Sequence, residues 1–556
     1  MTKRRTGAHL LLELLRSEGV EFVFGNPGTT ELPLIDALVD FPDIKYIWGL
    51  QEASVVGMAD GYAQASGKTG FVNLHTAGGV GHGMGGLINA AASAVPLVVT
   101  AGQQDLRHKL TDPLLFDDLE AIASPISKWS DELSDVSQLP ILLRRAFQDA
   151  IASPNGPVFL SLPMDIMEKA TDVAIPSLSN VDRKPIAGSL DVLADKLSNY
   201  EIGRVAIIAG DEIAFDDAMQ EAVKLSNILG APVYGSSWPG RLPFPTKHHN
   251  WQGNLPTTAA GIGAIMSNYD AIIALGGKSF ISILYSEGPA LPETCDLFQL
   301  SNDGRDLGRT YPTELSLVGD IKRSLVLLNE ELTKKMSPYK DLLIKEKAKA
   351  VAANEAKQKI LLDEVAELRS NSVIHPMVAA YEIIKAIPQD MPIVDEAIAT
   401  LNHIRSFIDV KSPNQYLANR GGGLGWGIPA SVGYSLACDR RAVVSLNGDG
   451  ATMYSPQAMW TAAHENLPIT FVVVNNREYN VLKNFMMSKK DYSSTRSNHF
   501  IAMDLDDPAI DFSALAASMG LAYELVEDVE DIAHALSSSA TCQSPRLVEI
   551  IISAER

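Results

Sequence analysis

The sequence predicts an α/β protein built as three doubly wound domains, each a parallel sheet with helices on both faces. Three observations predict it. Short apolar runs of strand length alternate with segments of helical periodicity along almost the whole chain, the pattern of sheets buried on both sides. The chain has 556 residues, more than one hydrophobic core organises at about 100–200 residues per domain. Its hydrophobic fraction is 46%, enough to fill several such cores.

The first predicted domain covers residues 1–175, with strands expected at 22–24, 69–74, 97–101 and 158–162. A stretch containing proline and serine, 175–189, reads as a linker. The second domain covers 190–331, with buried strands at 204–209, 232–234 and 270–275. Residues 332–370 are highly charged and helical in pattern. They sustain no apolar heptad and so read as a solvated connecting helix rather than a coiled coil. The third domain covers 371–556, with strands at 393–394, 442–446, 470–474 and 547–552. The first and third segments look alike in layout, and no short-period repeat runs through either.

The net charge is −21, which repels phosphate backbones and anionic lipid headgroups and argues against nucleic acid or membrane partners. Cys295, Cys438 and Cys542 are far apart and form no CxxC pair, so neither a disulfide framework nor a cysteine zinc site is expected, and a reducing cytoplasm fits. The N-terminal stretch 1–7 carries the charges of a signal n-region. The residues after it include Glu13 and Arg16 and read as an amphipathic helix instead. No apolar run reaches the ~18–20 residues of a membrane span.

The strongest local feature is Asn447-Gly448-Asp449-Gly450-Ala451, set between a buried strand and a helical pattern. Free backbone N–H groups and a helix N-terminus at such a strand end favour a phosphate. Asp449 adds a hard carboxylate beside it. The next strand ends in Asn475-Asn476-Arg477-Glu478-Tyr479, bringing an amide oxygen and turn carbonyls to the same edge. Together they suit Mg2+, which takes oxygen ligands at about 2.0–2.1 Å and is often shared with a bound phosphate. A lone Gly-Asp-Gly is an ordinary turn, but its pairing with Asn-Asn at the end of the next strand is more specific.

This pair resembles the diphosphate-binding motif of thiamine-diphosphate enzymes, which opens with Gly-Asp-Gly and closes with Asn-Asn. Near the other end of the chain, the segments 24–33 and 50–57 resemble the pyrimidine-binding domain of the same enzymes. The resemblance spans almost the whole chain, through 100–104 and 243–246. It points to the thiamine-diphosphate-dependent 2-oxo acid decarboxylase and acetolactate synthase family, on the benzoylformate decarboxylase side. It implies pyrimidine-binding, central and diphosphate-binding domains, with thiamine diphosphate and Mg2+ as cofactors. The active site would lie between two subunits, making a homodimer the smallest unit and a homotetramer the expected assembly. No Gly-x-Gly-x-x-Gly fingerprint marks a nucleotide site in the central domain.

By the same resemblance Asp449, Asn476 and the main-chain carbonyl of Glu478 hold Mg2+, with Gly448, Gly450 and Ala451 around the diphosphate and Tyr479 and Glu396 as further cofactor contacts. The carbonyl of Gly422 would meet the cofactor's amino group, and Leu424 would bend the cofactor. Glu52 matches the activating glutamate of the family, whose carboxyl exchanges a proton with the aminopyrimidine ring. Ala53, Val55 and Val56 after it supply a poorly solvated setting. His75 matches an active-site histidine able to relay protons, and Thr29 falls where the family has a serine on the substrate carboxylate. A second catalytic histidine would align near Ile283 or Leu284 and is missing; His82, His108 and His403 are the possible substitutes. Ile398, Leu401, Asn480, Val481 and Phe485 are expected to line a pocket for an apolar or aromatic acyl group.

The expected function is non-oxidative decarboxylation of a 2-oxo acid with an aromatic or apolar side chain. The missing histidine opens an alternative, a carboligase of acetolactate synthase type in which a second carbonyl replaces the proton. A third class, a non-catalytic relative that only binds the cofactor, conflicts with the presence of Glu52, Asp449 and Asn476.

Overall fold

Parallel strands whose both faces are buried account for the architecture of the computed structural model, which describes residues 5–554. Part of the signal-like N-terminal stretch, residues 1–4, lies outside them. The helix expected after it is present at Gly7–Ser17 and buries Leu10, Leu11, Leu12, Leu14 and Leu15. Each such leucine contributes about 1.5–3 kcal/mol over its exposed state, which anchors the helix to the first sheet.

The first sheet contains β1 (Phe22–Gly25), β2 (Lys45–Trp48), β3 (Gly70–His75), β4 (Leu97–Gln103), β5 (Ser130–Glu132) and β6 (Pro157–Pro163), in the order β2-β1-β3-β4-β6-β5. The second contains β7 (Val205–Ala209), β8 (Val233–Gly235), β9 (Trp251–Asn254), β10 (Ala271–Leu275), β11 (Asp296–Ser301) and β12 (Leu315–Val318), in the order β12-β11-β10-β7-β8-β9. The remaining strands are β13 (Ile393–Glu396), β14 (Tyr416–Ala418), β15 (Val443–Gly448), β16 (Ile469–Asn475), β17 (Ala522–Val526) and β18 (Arg546–Ile551). Of these, β13-β15-β16-β18-β17 run side by side in the same order as β1-β3-β4-β6-β5. The likeness between the first and third segments is therefore one of topology.

The chain divides into two compact bodies. One comprises the residues up to Val181, Ile393–Ala399 and the residues from Asn419 onward; the other comprises Asp182–Pro392 and Thr400–Ala418. In the first body, Val55, Met58 and Tyr62 share one hydrophobic core with Ile428, Val432 and Leu436. The contact is between helix Glu52–Ser66 and helix Gly427–Ala437, and it is close because the facing residues are small. A Cβ on Gly61 would lie 2.1 Å from the Ala430 carbonyl oxygen, and one on Gly433 would lie 1.9 Å from that of Met58. Both obstacles are backbone, which has no rotamer with which to move aside.

In the second body, the charged segment expected as one connecting helix is two. Helix Ile321–Met336 packs with Leu325, Leu328 and Leu332 buried, and helix Lys340–Leu368 buries Val365 alone. Pro338 lies in the short turn between them, since a proline cannot donate the backbone hydrogen bond that would continue the helix. Among the described residues no helix is long and apolar enough to cross a membrane.

Candidate active site

In a parallel sheet all carboxyl ends of the strands share one edge, where ligands of doubly wound folds bind. In the first body, that edge of the first sheet carries Asn26 after β1, His75 at the end of β3 and Glu52 at the start of the helix following β2. The same edge of the third sheet carries Glu396, Asp449 and Asn476 after β13, β15 and β16.

Glu52 is buried, and each of its carboxylate oxygens has a partner: Asn26 Nδ2 donates to Oε1 at 3.2 Å, and His82 Nδ1 lies 3.2 Å from Oε2. His75 Nδ1 lies 2.8 Å from Glu31 Oε2 and 3.1 Å from the Thr30 hydroxyl. A carboxylate only accepts, so Nδ1 carries the proton. Glu31 is itself held by the backbone N–H groups of Gly28 and Gly102, at 2.8 and 2.9 Å. A Cβ on Gly28 would enter the His75 ring at 2.3 Å, so this turn admits only glycine. Thr76 follows in the left-handed region, at φ 48, and turns the chain from β3 into the next helix.

The hydrogen bond to Glu31, aided by the charges of Glu31 and Glu52, raises the His75 pKa above its ordinary value against the opposing effect of burial. The charge on His75 therefore stabilises the fold fully below the unfolded value near ~6.5, and this contribution is lost as pH rises through the higher folded value. Glu31→Gln is expected to bring the His75 titration midpoint down, as followed by NMR of histidine-labelled protein. An unchanged midpoint would show that Glu31 is not its cause.

At the third sheet, Asp449 Oδ1 accepts from the Gly450 N–H at 2.7 Å, while Oδ2 is buried without a hydrogen-bond partner. Burial pushes its pKa up to about 6. A buried carboxylate oxygen without a donor is what a cation would satisfy. Asn476 Oδ1 accepts from the Glu478 N–H at 3.1 Å, which folds the turn back on itself. No atom would lie within 4 Å of a Cβ on Gly448, so the turn is open there, and the Tyr479 ring covers Gly450. These features fit a diphosphate with its divalent cation: Asp449, the Asn476 amide oxygen and the Glu478 carbonyl can supply oxygens, and the Gly448–Ala451 turn can supply N–H donors.

Glu396 is fully buried and accepts from the backbone N–H groups of Gly425, Trp426 and Gly427 at 2.9–3.1 Å and from Asn419 Nδ2 at 2.9 Å. Burial pushes its pKa up to about 7 against those donors. Its carboxylate is thus engaged by the loop. Asn89 grips Gly423 at both ends, accepting from its N–H at 3.0 Å and donating to its carbonyl at 2.8 Å. The Trp426 indole donates to Asp60 at 2.9 Å. The loop is fixed on both sides of Leu424, whose side chain is 36% exposed at its apex, and Gly422 takes φ +78.

Other predicted positions are placed as follows. Thr29 is exposed on the turn whose next residue, Thr30, meets His75. Val481 and Phe485 are half-buried on helix Asn480–Met487, and Asn480 donates to the Glu478 carboxylate at 2.9 Å. Lys483, buried on that helix, pairs with both Glu478 and Asp504. Ile398 is half-buried after β13. Leu401 and His403 lie on helix Leu401–Phe407 of the second body, with Leu401 buried and the His403 ring 6.4 Å from that of His375. Ile283 and Leu284 also belong to the second body, with Ile283 46% exposed. His108 is exposed in the turn Leu106–Thr111. Sequence reasoning missed Thr30, Glu31, Asn89 and Asp60; of these only Thr30 and Glu31 stood inside a motif already singled out.

Models of the thiamine pyrophosphate enzyme match the chain in three places: the N-terminal TPP binding domain at residues 5–121, the central domain at 190–328 and the C-terminal TPP binding domain at 400–550. The chain belongs to the thiamine pyrophosphate enzyme family, and the expected three α/β domains are met. Within it, the chain is similar to benzoylformate decarboxylase of Pseudomonas aeruginosa, at 33% identity over 548 residues covering 97% of each chain. It is also similar to the acetolactate synthase large subunit of Lactococcus lactis subsp. lactis, at 26% identity over 573 residues covering 100% of this chain and 93% of that one. The solved structure of the thiamine diphosphate-dependent 4-hydroxybenzoylformate decarboxylase of Rhodococcus jostii RHA1 superposes with a TM-score of 0.87 at 28% identity, covering 99% of this chain and 100% of that chain.

Proposed function

We infer that the protein catalyses non-oxidative decarboxylation of a 2-oxo acid with an aromatic or apolar side chain, using thiamine diphosphate and Mg2+. The observation that carries this reading is the pairing of the buried Glu52 carboxylate, held at both oxygens, with His75 held by Glu31 on the same sheet edge. Thiamine diphosphate, when bound, supplies the electron sink for loss of CO2.

The chain's own residues do the rest. Asp449, Asn476 and the Glu478 carbonyl would hold the cation, and the turn from Gly448 to Ala451 would hold the diphosphate. Gly422 and Leu424 present the loop that orients the ring, and Glu396 sets that loop from behind. Glu52, held at both oxygens, would give and recover a proton at the bound cofactor's ring. His75 Nε2 donates the proton that completes the aldehyde. Thr29 stands at the substrate carboxylate, and Ile398, Val481 and Phe485, with Asn480, shape the acyl pocket. Two copies of the chain complete the site, and a tetramer is the expected assembly. The dispersed free cysteines support a cytoplasmic setting.

A second reading, carboligation of the acetolactate synthase type, is favoured by the acetolactate synthase among the relatives and by the absence of histidine at 283 and 284. Turnover of a panel of aromatic, aliphatic and acidic 2-oxo acids, with thiamine diphosphate and Mg2+ present, separates the two. Aldehyde from the aromatic members is expected. A 2-hydroxy ketone as the main product would replace the decarboxylase reading with ligation, and cofactor binding with no product at all would overturn both.

A further inference from the structure

Resting on the thiamine-diphosphate reading above, we propose that His82 is a positioning residue for Glu52, and that its charge sets how readily this carboxyl releases its proton. Helix Thr76–Ala92 carries His82 to the carboxylate, with Nδ1 3.2 Å from Oε2, while Asn26 holds Oε1 at the same distance. The two partners differ in kind. The Asn26 amide is a donor at every pH in the working range, whereas an imidazole changes charge between about pH 5 and 8.

The His82 side chain is 67% exposed and that of Glu52 is 10% exposed. In the single chain the imidazole lies toward the outside, while the carboxylate it touches is shielded. A cation beside Oε2 would ease release of a carboxyl proton, and a neutral donor there would do so less. The proton itself leaves the Glu52 O–H for the ring nitrogen of the cofactor and returns by the same route, with His82 changing the ease of the transfer and not its balance.

The other charged groups near the pair are His75, at the end of β3, and Glu31, on the turn after β1. His75 is committed through Nδ1 to Glu31, and His82 through Nδ1 to Glu52, so the two imidazoles serve different carboxylates. His75 also feels the charge of Glu52, and its contribution cancels in the ratio of wild type to His82→Asn, since both retain His75.

Asparagine places its amide nitrogen where histidine has Nδ1. His82→Asn thus keeps a donor on Oε2 and removes the titration, while His82→Ala removes both. The test uses holoenzyme reconstituted with thiamine diphosphate and Mg2+. Exchange of the cofactor's reactive ring proton into D2O is followed by quench NMR, and cofactor affinity by intrinsic fluorescence.

The ratio of the wild-type exchange rate to that of His82→Asn is expected to fall about tenfold as pH rises through the histidine range, with cofactor affinity of the variant within about threefold of wild type. His82→Ala should exchange about tenfold more slowly than His82→Asn. A ratio constant with pH overturns the proposal. Glu52→Gln serves as the control: slow exchange in it together with a constant ratio removes the role of His82 alone, whereas normal exchange in it removes the role of Glu52 as well.

Discussion

Glu52→Gln is expected to lower turnover at least ~100-fold, the lower bound of what a positioned acid–base group contributes. The substitution is close to isosteric and can keep both contacts seen at this site. The amide oxygen can accept from Asn26 as Oε1 does, and the amide nitrogen can donate to a neutral His82 Nδ1. What is lost is the proton that a carboxyl can give and recover. Steady-state decarboxylation measures the effect, and an unchanged thermal midpoint shows that the fold is intact. Near-wild-type turnover in a folded variant would eliminate the activation step assigned to this residue.

Gly433→Ala should cost about 1–3 kcal/mol of stability, the usual penalty for forcing an extra methyl into a filled core. The added Cβ would sit 1.9 Å from the Met58 carbonyl oxygen and 2.6 Å from the Tyr62 amide nitrogen. Neither can rotate away, so the two helices must part. One of them begins with Glu52, and the other follows directly on the Gly421–Gly427 loop that carries Leu424. The variant should therefore lose cofactor affinity in step with its thermal midpoint, measured on the same preparation by fluorescence and calorimetry. A lowered midpoint with unchanged affinity would show that the helix contact is structural only.

Interior strands with a continuous apolar run were legible, as in Val205–Ala209 and Ile469–Asn475, whereas interior β11, Asp296–Ser301, was missed because Asp296, Gln299 and Ser301 interrupt its run. The strands at sheet edges were not legible. Lys45–Trp48, Ser130–Glu132 and Ala522–Val526 are short and partly exposed, so polar residues interrupt the pattern. Asp449 and Asn476, which the structure places after neighbouring strands, were singled out because a strand end followed by a glycine turn leaves a local signature. Asn89 was not, since its partner Gly423 lies 334 positions away and nothing nearby in sequence announces the meeting. His82 stood among three candidate histidines as a stand-in for a missing one. Its distance to Glu52 gives it a different task, and only the fold could supply that distance.

The shared strand order of the first and third sheets means that one architectural plan occurs twice in the same body, with Glu52 and His75 at one rim and Asp449 and Asn476 at the other. Such a division lets mutation explore each rim separately. A change in the Gly448–Ala451 turn leaves Glu52 and His75 with their own hydrogen-bonded frame, so the two rims can diverge while the plan beneath stays constant.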